Sequence, residues 1–444
     1  MTNADRISGI EVKASPFASI ISQQIPDLSS YEDLYKHFHR NPEISTLETK
    51  TSAKILEVLQ SLNSQYGSPI ELKHPIGGTG LIGIHRNGTG KTLLLRADFD
   101  GLGLQEKTGL DYASTARQFD SHLDNVEKPT MHACGHDFHI TSMLAAIETF
   151  LKAKDSWSGT LIYLFQPAEE RGCGAQMMLD DGLYDRAKHA CPEPDIVLGQ
   201  HVMALKTGTV HTQTGPTMSA ADSYRITIYG RGGHGSMPHY TIDPVVIASH
   251  IVVRLQTLVS REVPPDETAV VTVGSFHAGH TVNVISDDAI LQVNIRSFSE
   301  TWRKVLLDGL HRIVDAECTA GRSPKPAKFE KLNQFPLTKN DADVTAQVND
   351  SFISYFGKHR VDTNMAAQLG SEDFSWLARR IDKPYMFWFF GGTDAEVWDK
   401  HEKKGTLNEI PANHSPYFAP VIQPTLRVGV EAMVVAALTF VGKK

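Results

Sequence analysis

The stretch MHACGHDFH, residues 131–139, concentrates side chains that bind metals or orient metal ligands. Cys134 and His136 stand two positions apart, and Asp137 and His139 flank them. In an extended or looped backbone alternate side chains point the same way, so Cys134 and His136 can face one ion together. An apolar helical pattern follows directly, which puts the stretch at a strand-to-helix corner, a usual place for function in an α/β sheet. The alternative interpretation is a loop with a buried cysteine and solvated histidines.

Two acidic side chains follow a short apolar strand predicted at residues 91–95. Asp98 and Asp100 are two positions apart, so their side chains share one face where that strand ends. Either aspartate can ligate a metal or hold a ligating histidine by its second nitrogen. A charged loop without a ligand is the alternative interpretation.

A second acidic pair follows the all-apolar strand predicted at residues 159–165. Glu169 and Glu170 are adjacent, and in a regular strand they would point to opposite faces. An irregular strand end, helped by Pro167, lets both carboxylates approach one centre. Like charges this close need a cation nearby, so the pair indicates a cation site, and the alternative is a charged surface loop.

His201 ends a further apolar strand, predicted at residues 194–202. A single histidine in that position is more often structural than a ligand. Its place at another strand end favours a functional role, because the carboxyl ends of parallel strands share one edge of a sheet, where binding and catalytic sites form. The sequence therefore predicts an α/β fold whose functional groups meet at one sheet edge.

Length and composition narrow the class of protein. The chain has 444 residues, 41% hydrophobic and 21% charged, which is typical of a globular protein with two or three domains. Its net charge of −8, without a long basic run, argues against nucleic acid as a partner. No apolar run approaches about 18 residues, which argues against a membrane span. Four scattered cysteines and an N-terminus without the layout of a secretion signal predict the cytoplasm.

The helix and strand patterns divide the chain into three predicted segments. Residues 1–215 and 331–444 are predicted to form the two parts of a first domain. Residues 216–330 form an inserted second domain, because their β-α-β-β-α-β order is the ferredoxin-like split pattern.

Short motifs occur in a fixed order along most of the chain. They are RADFD (96–100), MHACGHD (131–137), QPAEE (166–170), GH (233–234), PH (238–239), NV (283–284), SEDF (371–374) and NHSP (413–416). Together they resemble the M20 metallopeptidase family, in particular its amidohydrolase branch. That branch contains N-acyl-amino-acid hydrolases, hippurate hydrolases and plant enzymes that cleave indole-acetyl amino acids. Each motif alone is moderately specific, whereas the ordered set is highly specific.

The resemblance implies a zinc-peptidase-like catalytic domain with a mixed, mostly parallel sheet, and an inserted ferredoxin-like lid domain. It implies two divalent metal ions, commonly zinc, manganese or cobalt, and a homodimer formed through the lid. It also implies that Glu169 is the general base. By motif match the metal ligands are Cys134, His136, Glu170, His201 and His414.

The residue types fit the hydrolysis of an amide, which needs an activated water, a polarised carbonyl and a protonated leaving amine. Metal binding lowers the pKa of a water to about 7. Glu169 takes the proton from this water and gives it to the departing nitrogen. Asp100 is assigned to the catalytic group, and Glu170 is assigned as a ligand. The alternative assignment exchanges Glu169 and Glu170.

Three residues of the predicted lid complete the site hypothesis. His234 lies on a Gly-rich loop and, as the family suggests, donates to the oxyanion in its own subunit or across a dimer interface. A solvent-facing histidine in a flexible loop is the alternative. Asn283 is assigned to substrate binding, and Arg296 either receives a substrate carboxylate or forms a salt bridge within the lid.

The sequence therefore predicts a metal-dependent amidohydrolase that cleaves an acyl group from an amino acid. A dipeptidase or carboxypeptidase of the same family is the closest alternative, because the same metals and base serve both reactions. A non-catalytic scaffold is another, and it would have lost a ligand or the base. Catalysis by Cys134 as a nucleophile with His136 is the last alternative, and it would survive chelators.

Overall fold

The computed structural model describes residues 15–67 and 70–443. Residues 1–14, where the first predicted segment begins, lie outside the described residues. None of the helices described is long and apolar enough to cross a membrane. The helices are α1 (Ala18–Gln24), α2 (Ser29–Arg40), α3 (Thr49–Tyr66), α4 (His136–Lys152), α5 (Gly174–Asp180), α6 (Pro244–Thr257), α7 (Glu300–Ala320), α8 (Ala342–Phe356), α9 (Trp376–Arg379), α10 (Ala395–Lys404) and α11 (Thr425–Val441).

The strands are distributed along the whole described chain. They are β1 (Ile70–Ile76), β2 (Gly80–Asn87), β3 (Thr92–Asp98), β4 (Arg117–Asp120), β5 (Val126–Pro129), β6 (Gly159–Gln166), β7 (Ile196–Lys206), β8 (Val210–His211), β9 (Gly215–Met218), β10 (Ala220–Tyr229), β11 (Gly233–His234), β12 (Ala269–Ala278), β13 (Val284–Ile285), β14 (Asp288–Ser297), β15 (Lys328–Phe335), β16 (Thr338–Asn340), β17 (Val361–Asp362) and β18 (Tyr385–Thr393).

The first compact unit runs to Gly215 and continues in Asn340–Ala366 and Trp376–Lys444. It contains an eight-stranded sheet in the order β1-β2-β6-β3-β7-β18-β8-β17. The central strands β6, β3, β7 and β18 are parallel to one another, whereas β1, β2 and β8 add antiparallel pairs. This mixed sheet with a parallel centre confirms the predicted fold class.

The parallel centre of this sheet is buried because its strands are apolar on both faces. In β3 every residue after Thr92 is buried. Helices α4, α8 and α11 contact the central strands, and nearly all of α4 is buried. The polar residues at the start of α4 are therefore buried as well, close to the ends of the parallel strands.

The second compact unit comprises Pro216–Lys339 and Ala367–Ser375. Its four-stranded antiparallel sheet has the order β12-β14-β10-β15, and α6 and α7 pack on it. This is the ferredoxin-like arrangement, in which the strand that follows the first helix lies at a sheet edge. The predicted end of the insertion, residue 330, falls within β15. This polar edge strand runs to Phe335, and the second unit continues to Lys339.

Candidate active site

Helix α4 begins inside the predicted ligand motif. Gly135, the residue before the helix, has φ +83°, a left-handed conformation that favours glycine. A Cβ at this position would also lie 2.3 Å from Val202 Cγ1, so there is no room for a side chain. Ligand atoms of Cys134, His136 and His201 all lie within 4.8 Å of one another. His201 lies within β7 rather than at its end, because pairing with β18 extends β7 to Lys206.

Asp100 orients the imidazole ring of His136. Nδ1 of His136 lies 2.9 Å from the carbonyl oxygen of Asp100 and 3.2 Å from its Oδ1. A carbonyl oxygen can only accept, so Nδ1 carries a proton and donates it. Nε2 is buried and has no hydrogen-bond partner among residues 15–67 and 70–443. This is the usual arrangement of a metal-ligating histidine whose other nitrogen is held by a carboxylate or a carbonyl.

The turn after β6 brings both adjacent glutamates close to His136. Ala168 has φ +51°, a left-handed conformation that is rare for residues with a Cβ. Glu169 Oε2 and Glu170 Oε1 each lie 3.9 Å from His136 Nε2. The irregular strand end expected from Pro167 is thus produced by a left-handed residue directly after the proline.

The loop that carries His414 reaches the same group of side chains. His414 Nε2 lies 3.2 Å from Glu170 Oε2, and ligand atoms of Cys134, Glu170 and His414 all lie within 4.8 Å of one another. The side-chain amide of Asn413 donates to the carbonyl oxygens of Cys134 (3.1 Å) and Val202 (3.0 Å), which ties this loop to the corner before α4. The structure therefore brings the five predicted ligands and Glu169 into one cluster of the first unit.

Two residues beside this cluster were not in the predicted ligand set. Asp98 accepts from the Arg96 guanidinium (2.6 Å) and from His139 Nδ1. His139 Nε2 accepts the backbone N–H of Val202 (2.9 Å), so both of its ring nitrogens are engaged. His139 therefore orients Asp98 rather than offering a lone pair to an ion. Its spacing of three from His136 on one helix was the sequence signal for this proximity.

Burial and negative charge shape the titration of the cluster. Burial, reinforced by Glu170 and Glu169, raises the pKa of the Cys134 thiol well above its usual range. Burial alone would lower the pKa of His136, but Asp98 and Asp100 outweigh it and raise that pKa to about 10. The carboxylates of the cluster thus stabilise a positive charge at the position of His136.

The residues present fit divalent cations. Nε2 of His136 and Oε1 of Glu170 are buried, lie 3.9 Å apart and have no hydrogen-bond partner in the part of the chain that the structure describes. Burial lowers the pKa of His201 well below its usual range, so its ring is neutral, and its Nδ1 donates to the carbonyl oxygen of Val202 (2.7 Å). Nε2 of His201 is then a lone-pair donor beside Cys134. Thiolate, imidazole and carboxylate ligands of this kind suit zinc, manganese or cobalt.

The remaining predicted site residues lie in the second unit. His234 in β11 pairs with Val284 in β13, and the Gly235 N–H donates to the carbonyl oxygen of Asn283 (2.8 Å), so His234 and Asn283 lie on neighbouring segments. The side chain of His234 is exposed.

The guanidinium of Arg296 hydrogen-bonds to uncharged groups of the second unit. Its Nε donates to Asn294 Oδ1 (3.0 Å), and one terminal nitrogen donates to the carbonyl oxygen of Leu369 (2.6 Å) and to Ser371 Oγ (3.2 Å). Within residues 15–67 and 70–443 it forms no salt bridge, so the salt bridge that the sequence left open is absent there.

Comparison with known proteins agrees with this architecture. Residues 94–414 match the model of peptidase family M20/M25/M40. The chain is 34% identical over 426 residues to thermostable carboxypeptidase 2 of Saccharolobus solfataricus, covering 94% of this chain and 98% of that one. It is 35% identical over 385 residues to N-acetyl-L-cysteine deacetylase of Bacillus subtilis, covering 86% and 85%. A crystal structure of a dinuclear metal binding peptidase from the M20 family of Bacillus subtilis superposes with a TM-score of 0.69 and 25% identity, covering 95% and 99%.

The fold and the cluster define a metal-dependent hydrolase with an α/β catalytic unit and a ferredoxin-like second unit. The chain belongs to peptidase family M20, in its amidohydrolase branch.

Proposed function

We propose that the protein hydrolyses the amide bond of N-acyl amino acids or related amide conjugates. The observation that carries this proposal is the mostly buried cluster of thiol, imidazole and carboxylate groups, in which His136 Nε2 and Glu170 Oε1 have no hydrogen bond within the described residues. The similarity to an N-acetyl amino acid deacetylase supports the reaction class.

Two divalent cations, zinc, manganese or cobalt, are proposed to bind in this cluster. When bound, such ions activate a water and polarise the substrate carbonyl. Asp100 holds the ring of His136 in the ligating orientation through Nδ1. The residues that would hold the cations are Cys134, His136, Glu170, His201 and His414.

Glu169 is proposed as the general base. Its carboxylate is buried and lies beside the ligand cluster, 3.9 Å from His136 Nε2. It takes a proton from the attacking water as the water oxygen bonds to the carbonyl carbon. The same carboxylic acid then gives that proton to the nitrogen when the C–N bond breaks.

A dipeptidase or carboxypeptidase is the second candidate function, and the similarity to a carboxypeptidase favours it. The two candidates are separated by comparing kcat/KM for N-acetyl and N-benzoyl amino acids with that for unblocked dipeptides. We expect the N-acyl substrates to be cleaved faster. Faster cleavage of the dipeptides would replace the first candidate by the second.

His234 is proposed to donate a hydrogen bond to the oxyanion. The N–H of Ser236 (3.1 Å) donates to Nδ1 of His234, and its hydroxyl lies 2.8 Å from the same atom. The proton of the neutral ring therefore lies on Nε2, which is then available as a donor.

We predict that His234→Ala lowers kcat by about 10²–10³-fold, the effect of losing one oxyanion donor. His239→Ala, which changes another exposed histidine of the same unit, serves as the control and is expected to leave kcat unchanged. Steady-state kinetics with an N-acyl amino acid measures both variants. Unchanged turnover in His234→Ala would favour a merely solvent-facing histidine.

Arg296 and Asn283 are proposed to bind the substrate. The guanidinium of Arg296 is partly buried, and burial lowers its pKa. Its hydrogen bonds go to uncharged groups, which leaves its charge uncompensated and suits a substrate carboxylate. Asn283 is proposed on its place beside His234.

A homodimer through the second unit is also proposed, together with a role of that unit as a lid. Strand β12 is an edge strand, and α6, which contacts it, exposes Val246 and Val253, the latter to 71%. Exposed edges and apolar surface of this kind favour association. A cytoplasmic location is proposed as well, on the scattered spacing of the four cysteines in the sequence.

We predict that light scattering gives twice the chain mass of 48.9 kDa for the native protein. Val253→Asp is expected to give the single-chain mass, because a buried unpaired carboxylate disfavours the interface. Val397→Asp, a change of an exposed valine in the first unit, should leave the mass doubled. A native protein with the mass of one chain would contradict the dimer.

A further inference from the structure

The segment between α2 and α3 lies against both acidic turns of the candidate site. The Gly101 N–H donates to the carbonyl oxygen of Glu43 (2.7 Å), and Ser45 Oγ donates to Asp100 Oδ2 (2.6 Å). The backbone N–H of Glu170 donates to the same Asp100 oxygen (3.0 Å). One buried carboxylate thus connects this segment to the turn that follows β6.

Glu48, the last residue before α3, reaches that turn directly. Its side chain is completely buried. Oε1 accepts the backbone N–H of Ala168 (2.9 Å) and that of Thr46 (2.7 Å), and Oε2 accepts the hydroxyl of Thr79 (2.8 Å). The bond to Ala168 links positions that are 120 residues apart in the chain.

Helix capping does not explain this side chain. Glu48 occupies the N-cap position of α3, but its side chain accepts no hydrogen bond from the helix. Glu43 serves the first turn of α3 instead, because its Oε2 accepts from the N–H (2.7 Å) and the hydroxyl (2.9 Å) of Thr51. The Glu48 carboxylate therefore points away from its own helix and toward the residue that precedes Glu169.

The backbone that Glu48 holds is in an unfavourable conformation. Ala168 has φ +51° and Thr46 has φ +72°, and left-handed residues with a Cβ persist only where their surroundings hold them. The carbonyl side of Ala168 is held by the N–H groups of Cys173 (3.3 Å) and Gly174 (3.1 Å). On the amide side, the Glu48 carboxylate is the acceptor.

We propose that Glu48 is a positioning residue for the Glu169–Glu170 pair: by accepting the Ala168 N–H, it fixes the left-handed turn that directs both carboxylates toward His136. This inference rests on the proposed function, because it concerns the direction of the base and of a metal ligand. Glu48 acts through the backbone of Ala168, because its carboxylate accepts from Ala168, Thr46 and Thr79 and not from a predicted ligand among the described residues.

Three variants of the full-length, cobalt-loaded protein test this role: Glu48→Ala, Glu48→Asp and Glu48→Gln. Ala removes the acceptor, Asp withdraws it by one methylene, and Gln keeps an amide oxygen for both N–H groups. We expect Ala and Asp to lower kcat by about 10–100-fold, the usual effect of losing a residue that supports a metal site, with little change in KM. The visible absorption spectrum of bound Co²⁺ should change in the same two variants, and Gln should keep the native kcat and spectrum.

Glu43→Ala is the matched control. Glu43 is a buried glutamate of the same segment, but within the described part of the chain its carboxylate hydrogen-bonds to Thr51 alone. Its loss should lower the thermal midpoint of unfolding while kcat and the cobalt spectrum stay native. A readout that changes for Glu48 and not for Glu43 separates positioning from general stability.

Native kcat and an unchanged cobalt spectrum in Glu48→Asp would overturn the inference. So would equal losses of kcat in Glu43→Ala and Glu48→Ala, or a Glu48→Gln protein as impaired as Glu48→Ala. If Glu48→Ala does not fold, Glu48→Asp and Glu48→Gln decide the question. A native protein without amide hydrolysis contradicts the proposed function instead, and the cobalt spectra of the variants still test the positioning role.

Discussion

Replacing Glu169 by glutamine is expected to lower kcat by about 10²–10⁴-fold, the contribution of a positioned general base, while both metals remain bound. The amide has nearly the shape of the carboxylate, but it cannot take a proton from water at neutral pH. Glu169 is buried beside the ligand cluster, 3.9 Å from His136 Nε2, so the substitution removes the base without opening the site. Steady-state kinetics and elemental analysis of bound metal measure the two effects.

The neighbouring substitution Glu170→Gln is the matched control for this assignment. A carboxylate oxygen of Glu170 lies 3.2 Å from His414 Nε2, and one lies within 4.8 Å of Cys134 Sγ, so its loss should reduce the metal content as well as the rate. The opposite pattern would exchange the two roles. In that case Glu169→Gln keeps most of its rate, and Glu170→Gln keeps its metals but loses its rate.

His39→Leu is expected to lower the free energy of unfolding by about 3–5 kcal/mol, the usual result of removing one partner of a buried ion pair. His39 Nδ1 lies 2.7 Å from Asp137 Oδ2, and Nε2 lies 3.1 Å from Glu106 Oε1. The side chains of all three residues are buried, so a leucine would leave two carboxylates in the interior without their cation. Urea denaturation measures the loss.

The pH dependence of that loss follows from the titration of His39. Burial lowers the pKa of His39, but Asp137 and Glu106 outweigh it and raise the pKa to about 9. Because the folded value exceeds the ordinary value of about 6.5, the contribution of His39 is fully present below about pH 6.5 and is lost as the pH rises through about 9. The difference between wild type and His39→Leu should therefore shrink over this range.

His37→Leu, an exposed histidine on the same helix, is the control and should change the free energy of unfolding by less than about 0.5 kcal/mol. A His39→Leu protein as stable as His37→Leu would show that the buried network carries no net stability.

Hydrophobic patterns predicted most of the fold, and they failed where an element is polar. The apolar strands β3, β6 and β7 were all expected, because their central side chains are buried on both faces. Strand β1, with the sequence IELKHPI, was missed because it is a half-exposed edge strand that offers little apolar periodicity. Helix α10 has no buried residue, so a pattern based on burial could not find it.

The side chains that meet in the candidate site could be predicted from sequence motifs, whereas the residues that hold them in place could not. Cys134, His136 and Glu170 belong to short motifs, and the parallel sheet brings the motifs together. The left-handed conformation of Ala168 could not be read from an alanine, which normally avoids it. Glu48 was missed for a related reason, since its role depends on a contact across 120 residues that no local pattern encodes.

The most direct test of the account is the hydrolysis of N-acyl amino acids before and after removal of metals with EDTA, with the metal content measured in the same samples. We predict that the activity is lost with the metals and restored by zinc, manganese or cobalt, with two ions bound per chain at full activity. Full activity in a metal-free protein would contradict the ligand assignment and would make Cys134 the candidate nucleophile.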